Sequence, residues 1–414
     1  MNKVKLGEIL KIKHGFAFKS ENYVDESEYA LVTLANISST NNFQFNKDKT
    51  TFYGASFPND FILKEDDLIM PLTEQVVGLF GNTAFVPKMQ GITFVLNQRV
   101  GKVVPVDDKA DKYYLHYLLA TNLVKDQLEF RASGTRQRNI SPDDVYDVEV
   151  FLPDITTQRK IGKCLYDIEK KVNLNNAIND NLEQQAKLIY DYWFTQFDFP
   201  DENGKPYCSS GGKMVWNKKL KRNIPENWNV VPLLKLVSWE SNSQPPKSEF
   251  VYEPKEGYVR FIQNRDYDSD THITYIPQTK NLSIVDRFDI LMDKYGDAGA
   301  VRYGIEGAFN VALGKICVHN PNYREYIRSF LGSDGIYKFL HNSCMASTRA
   351  SLSEANLAIL NVVVPDEKII LDYENFLHKI RVSILKNKDE TVELINLRDW
   401  LLPMLMNGQA TITD

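Results

Sequence analysis

The sequence predicts an α+β protein built twice over. It has two mixed α/β domains, each followed by a long helix, and the two helices pair as an antiparallel coiled coil about a pseudo-twofold axis. Three observations predict this. Segments of the first half recur in the second at an almost constant offset. The stretch after each recurrence carries a long heptad pattern. The remainder is short apolar runs punctuated by Gly and Pro, as in strands and loops.

The repeat holds residue by residue. Ser141, Pro153 and Asp154 return as Ser353, Pro365 and Asp366, each 212 positions later. Thr135-Arg136 returns as Thr348-Arg349, and Asn97 with Gly101-Lys102 as Asn310 with Gly314-Lys315, at an offset of 213. The first block covers 1–153 and the second 230–365, with apolar runs such as 30–34, 67–70, 94–96, 289–292 and 315–318. Helical pieces are expected at 113–130 and 323–340.

After each repeated Pro-Asp the steps between apolar positions alternate four and three. In residues 154–197 the seam runs through Ile161, Leu165, Ile168, Val172, Asn175, Asn179, Leu182, Ala186, Ile189 and Trp193. In residues 366–414 it runs through Tyr373, Leu377, Ile380, Ile384, Asn387, Thr391, Leu394, Arg398, Leu401 and Leu405. The polar interruption falls at matching positions, so antiparallel pairing would bring Asn175 and Asn179 to Asn387 and Thr391. Asn at a seam position fixes register at some cost in stability. A run of 40 residues is ~60 Å long. Between the first seam and the second block, residues 198–229 are rich in Pro, Gly, Ser and Lys and read as an exposed linker.

Composition excludes several classes. The chain has 414 residues, 43% of them hydrophobic, and a net charge of −5. No run of ~18 apolar residues is present to span a membrane, and the first ten residues lack the hydrophobic stretch of a secretory signal. Cys164, Cys208, Cys317 and Cys344 form no Cys-x-x-Cys pair, which argues against a zinc cluster or a disulfide framework and for a reducing, cytoplasmic location. The six histidines make no ligand pair at helical spacing, so no metal is expected.

Catalytic signatures are missing as well. The sole Pro-Pro, Pro245-Pro246, lacks the neighbours of an adenine-methylating loop, and no phosphate-cradling Gly-x4-Gly-Lys-Ser/Thr occurs. Asp366-Glu367-Lys368 has the spacing of a nuclease Asp-x-Lys. Its counterpart Asp154-Ile155-Thr156 has no Lys, however, and both aspartates stand where a helix begins, which favours N-capping. No catalytic residue is proposed.

The order of these pieces resembles the specificity subunit of type I DNA restriction–modification enzymes over essentially the whole length. The resemblance rests on the opening Leu6-Gly7-Glu8-Ile9 with Gly15-Phe16-Ala17-Phe18-Lys19-Ser20, and on Gly134-Thr135-Arg136 ahead of Ile140-Ser141. It also rests on the connector Phe199-Pro200-Asp201-Glu202-Asn203-Gly204-Lys205-Pro206-Tyr207 with Gly211-Gly212-Lys213-Met214-Val215. It implies two target-recognition domains that each read half of a split, asymmetric site in double-stranded DNA, and long helices that set the gap between the halves. It further implies docking of two adenine-N6 methyltransferase subunits, with restriction subunits joining through the complex. S-adenosylmethionine, ATP and Mg would belong to those partners, and none to this chain. A recognition subunit serving a methyltransferase without restriction, and a coiled-coil adaptor that binds proteins, are the alternatives.

Sequence-specific reading calls for Arg toward guanine and Asn or Gln toward adenine, with Lys and Arg for phosphates. In the first block the densest such segment holds Arg131, Arg136, Gln137 and Arg138; a solvated surface loop is the plain alternative. Gln75, Gln98 and Arg99 are further candidates, and Lys13 and Lys19 are suited to phosphate. In the second block the candidates are Gln263, Asn264 and Arg265, then Lys294, Tyr295 and Arg302 beside glycines that could equally be turn residues, and Arg349. The basic run 218–222 reads as a tether. Gln98-Arg99 corresponds to Val311-Ala312, so the two half-sites should differ.

Overall fold

The computed structural model describes residues 2–75, 77–134, 136–268, 272–345 and 351–412. The chain forms two compact units, Met1–Asn173 with Thr391–Asp414, and Leu174–Glu390. The division falls inside both long helices rather than at the block edges expected from the sequence.

In the first unit, strand Asn2–Lys5 runs antiparallel to Glu149–Leu152 and closes the domain. One four-stranded sheet has the order Leu10–His14, Val100–Pro105, Leu68–Pro71, Ala84–Phe85; a second has the order Tyr23–Val24, Phe52–Tyr53, Tyr29–Val32, Thr93–Leu96. Tyr29–Val32 and Thr93–Leu96 of that second sheet pair in parallel, with Val32 opposite Leu96. Helices Lys112–Leu119 and Asn122–Arg131 replace the single expected piece, because the chain turns at Ala120-Thr121. Their apolar faces join a core of Leu6, Leu10, Tyr114, Leu115 and Leu118. Ile161 and Leu165 of the first long helix pack into the same core, as do Leu405 and Met406 of the second.

The second unit repeats the plan. Strand Asn229–Pro232 pairs with Asn361–Val364. One sheet has the order Val237–Ser241, Leu313–Val318, Ile290–Asp293, Val301–Arg302; the other has Tyr275–Pro277, Tyr258–Ile262, Gly307–Phe309, Ile284–Val285. Ile262 lies opposite Phe309 in a parallel pair, as Val32 does opposite Leu96. Even isolated backbone bonds recur. Leu72 N–H donates to Arg99 O (2.9 Å) and Ile140 N–H to Leu72 O (3.0 Å); Lys294 N–H donates to Ala312 O (2.8 Å) and Leu352 N–H to Lys294 O (3.0 Å). The repeated Gly-Lys is structural: Lys102 pairs with Asp67 at 2.7 Å and Lys315 with Asp289 at 2.8 Å. The repeated serines cap short helices, Ser141 with Asp144 and Ser353 with Asn356.

The first long helix is Ile155–Tyr190, continued by a π-helical turn at Asp191–Thr195, and the second is Glu367–Met406. Asp154 accepts from the Thr157 N–H (3.0 Å) and hydroxyl (2.6 Å), as an N-cap does. Within the second unit the helices run antiparallel. Asn175 donates to Glu390 Oε2 (2.9 Å), Asn387 donates to Asn179 Oδ1 (2.9 Å), and Trp193 packs on Tyr373. Leu165, Val172, Leu377, Ile380 and Ile384 are buried; Ile168, Leu182, Asn387 and Leu394 are half-buried.

The expected linker is a correction. Residues 198–229 do not form an exposed tether: strands Met214–Asn217 and Arg222–Pro225 make a hairpin. Phe199 stacks between Tyr207 and Trp228, at 4.7 Å from each ring. Phe199, Ile224 and Trp228 are buried in the core of the second unit. The basic run lies at the hairpin turn, and Arg222 is drawn over Phe197 at 4.5 Å. Aromatic burial outweighs the Pro- and Gly-rich composition, because each ring removes a large apolar area from water.

Candidate nucleic-acid interface

The parallel strands Tyr29–Val32 and Thr93–Leu96 end side by side, and the segments that leave their ends form a hollow. After Val32 the chain makes a 3-10 turn, Leu34–Asn36, closed by a capping box in which the Thr33 N–H donates to Asn36 Oδ1 (2.8 Å). After Leu96 come Asn97, Gln98 and Arg99. Thr33, Leu34 and Ala35 form one wall, and Asn97, Gln98 and Arg99 the other. Tyr23 and Gln75 complete a cavity of about 340 Å³. Sequence reasoning named Gln75, Gln98 and Arg99 and missed the opposite wall, whose small residues carry no signal of their own.

Beside the hollow, Thr73–Glu74 pairs with Arg138–Asn139, with Arg138 opposite Glu74. One step along, the ladder points from Gln75 toward Gln137 and exposed Arg136. Gln137 is half-buried, its amide 3.5 Å from Asn139 Oδ1. Arg138 is held by Glu74 at 3.2 Å and Glu129 at 2.6 Å, over the Phe80 ring. Arg131 is likewise occupied, donating to the carbonyls of Gln127 and Asp147. Lys13 donates to the Asp60 carbonyl and lies over Phe61, so it is a packing residue; Phe16 stacks on Phe18 and Phe61 in the same cluster. Lys19 is exposed, 3.8 Å from Glu21.

In the second unit the chain after Ile262 makes the equivalent turn, Asn264–Tyr267, closed by the Gln263 N–H donating to Asp266 Oδ2 (3.1 Å). The chain after Phe309 supplies Asn310, Val311 and Ala312. Arg265 is exposed and only loosely held, 3.5 Å from the His272 carbonyl and 3.9 Å from Asp266. The Gln263 amide donates to Thr274 Oγ1 (3.1 Å), and Asn264 is half-buried. Tyr295 is exposed and Lys294 half-buried. Arg302 is fixed by Asp293 at 2.8 Å and Asp297 at 3.4 Å, and it lies over the Tyr267 ring. Burial pushes the Asp293 carboxyl up from its ordinary range even against that guanidinium. Gly296 and Gly304 both adopt positive φ, so they serve as turn residues. Arg349 and Thr135 lie outside the described residues.

Each domain is joined to a long helix through buried polar groups. In the first unit Thr83 contacts His116 Nδ1 at 2.7 Å, His116 Nε2 lies 3.4 Å from Glu169, and the Tyr117 hydroxyl donates to Glu169 at 2.8 Å. Burial alone would raise the Glu169 carboxyl, but the bonds from His116 and Tyr117 hold it below its usual range. In the second unit Glu325 accepts from Arg328 (3.1 Å) and Arg381 (3.0 Å), and Arg381 also pairs with Glu183. Among the described residues no cluster could hold a metal ion, and no helix is long and apolar enough to cross a membrane.

Residues 1–184 match a family described as the type I restriction modification DNA specificity domain. The chain is 22% identical over 335 residues to the type I restriction enzyme MjaIX specificity subunit of Methanocaldococcus jannaschii, covering 77% of this chain and 73% of that protein. It is 23% identical over 362 residues to the HindI specificity subunit of Haemophilus influenzae, covering 72% and 77%. The crystal structure of a type I restriction–modification S subunit from M. genitalium has the same fold, with a TM-score of 0.66 at 15% identity, across 98% of this chain and 95% of that one.

Proposed function

We propose that this chain, a member of the type I restriction–modification specificity family through its residues 1–184, is a non-catalytic subunit that reads a two-part, asymmetric DNA site, one half with each repeat. The observation that carries the reading is the pair of equivalent strand-end turns. The backbone register is kept while Thr33-Leu34-Ala35 and Asn97-Gln98-Arg99 give way to Gln263-Asn264-Arg265 and Asn310-Val311-Ala312. A fixed scaffold with exchanged polar groups suits two different half-sites, because base edges are told apart by donor and acceptor pattern.

The long helices would set the gap between the halves and dock two adenine-N6 methyltransferase subunits. Exposed Leu174, Ile178 and Leu188 on the first helix and Phe376, Val382 and Trp400 on the second support a protein-binding role. A net charge of −5 gives the isolated chain little long-range attraction to phosphates, so the methyltransferases would supply much of the clamp.

Methylome sequencing of cells carrying this chain and its methyltransferase tests the reading. A bipartite methylated motif with unlike halves is expected; absence of any enriched motif would favour a protein adaptor. Deleting one heptad from each helix, residues 172–178 and 384–390, removes ~10 Å of helix. The gap in the methylated motif should change, and an unaltered gap would refute the ruler role.

A further inference from the structure

Two arginines stand apart from the other candidates. Arg138 and Arg302 are committed to buried or half-buried carboxylates. Arg99 is exposed and makes no ion pair among the described residues, and the Arg265 side chain is 54% exposed with only long contacts. Both sit on segments that leave equivalent pairs of parallel strands, yet on opposite segments of the pair. In the first repeat the guanidinium belongs to the segment after Thr93–Leu96, and the facing turn offers Ala35. In the second it belongs to the turn after Tyr258–Ile262, and the facing segment offers Ala312. The match of Ala35 to Arg265 and of Arg99 to Ala312 comes from the strand register and from the shared bonds Leu72 N–H to Arg99 O and Lys294 N–H to Ala312 O.

Resting on the DNA-recognition reading above, we infer that Arg99 and Arg265 each read a guanine, one in each half-site, from opposite segments of equivalent strand ends. In the first repeat the methyl-sized Ala35 lines the same hollow as Arg99 and leaves its width to the base. Guanidinium suits the task because its fork matches the O6 and N7 acceptors of guanine on one edge. The guanine should therefore fall at a different place relative to the domain in the two halves, even though the scaffolds share one register.

The test is methylome sequencing with the assembled complex of full-length chain and methyltransferase. Arg99→Ala should relax one position of one half-site by about 10- to 100-fold in discrimination and leave the other half unchanged; Arg265→Ala should do the reverse. Lysine variants keep the charge but lose the fork, so relaxation in Arg99→Lys and Arg265→Lys supports base reading. Full specificity in the lysine variants, with a uniform loss of methylation in the alanine variants, would overturn it in favour of phosphate contacts. Ala35→Arg combined with Arg99→Ala should move the specified position within the same half-site. If the wild-type complex yields no bipartite motif, the DNA-recognition reading fails; if the motif is bipartite but indifferent to both arginines, only this inference does.

Discussion

The joint between domain and long helix uses the same positions in both repeats and opposite chemistry. His116 and Glu169 meet in the first; 212 residues on, Arg328 and Arg381 stand in their places. Two cations cannot replace a histidine and a carboxylate unaided, and Glu325 fills the space between them, with Glu183 beyond. Both guanidinium groups and Glu325 are nearly sealed from water, and Arg328 and Arg381 together keep the Glu325 carboxyl low although its burial acts to raise it. A second exchange lies nearby on the same helices. In the first repeat Asp111 caps helix Lys112–Leu119, its Oδ1 3.0 Å from the N–H groups of Tyr113 and Tyr114, and Gly162 on the long helix leaves room for it. In the second, position 374 is glutamate, and its Oε2 accepts from the Glu325 N–H at 2.8 Å. What duplication kept is therefore a backbone geometry and the demand that its buried groups be satisfied, not the residues that satisfy them.

The largest test of that contrast is Arg381→Ala. It leaves Glu325 buried with half its partners, and removing one member of such a network costs about 3–5 kcal/mol. Glu169→Gln in the first repeat keeps an acceptor for the Tyr117 hydroxyl and should cost about 1 kcal/mol. Denaturant unfolding of each variant in the full chain measures both. Equal losses would mean that the two joints are energetically alike despite their composition.

Gly162→Ala comes next. A methyl there would lie 2.5 Å from the Tyr114 nitrogen and 2.7 Å from Asp111 Oδ1, so backbone or cap must yield, at about 1–3 kcal/mol. At the matching position Glu374→Ala introduces no clash and forfeits one cap, about 1 kcal/mol. The same measurement ranks them, and a larger loss at 374 than at 162 would remove the steric half of the comparison.

Much of this architecture was legible in the sequence, for physical reasons that also mark the limit. Ser141 and Ser353 repeat because each caps a helix, and Gly101-Lys102 and Gly314-Lys315 because each lysine meets a carboxylate beside the neighbouring strand; local motifs of this kind leave local traces. The seam asparagines showed as a polar break in a heptad, and antiparallel pairing brings Asn179 to Asn387. Less visible were facts made by distant neighbours. Arg138 resembles a free loop arginine until Glu74 and Glu129 are beside it, and Arg302 until Asp293 is. The hollow depends on residues 33–35 and 97–99 meeting through a parallel pairing, which no spacing records. Residues 198–229 misled by their composition, because a few well-placed rings outweigh many turn formers.

The smallest predicted effect is a pH slope confined to one repeat. Burial pushes the Glu374 carboxyl up to about 7, against an ordinary value of 4.5; the bond from the Glu325 N–H opposes it, as do Arg324 and Arg328, while the Glu325 charge adds a smaller upward push. A carboxyl raised in the folded state favours folding when protonated. Its contribution is fully present below its ordinary value and is lost as the pH climbs through about 7. Because the group is partly exposed, the loss should be roughly 1–2 kcal/mol between pH 5 and 8. Glu374→Gln keeps an acceptor for the Glu325 N–H and cannot ionise, so its stability over that interval should be flatter by the same amount. Gly162 offers nothing to titrate at the corresponding place, so Gly162→Ala should not alter the slope. Unfolding free energies at pH 5 and 8 for wild type and Glu374→Gln decide the matter. Identical slopes would mean that Glu374 is already ionised in the fold, as a solvent-facing cap would be, and the second joint would then lose the feature that sets it apart from the first.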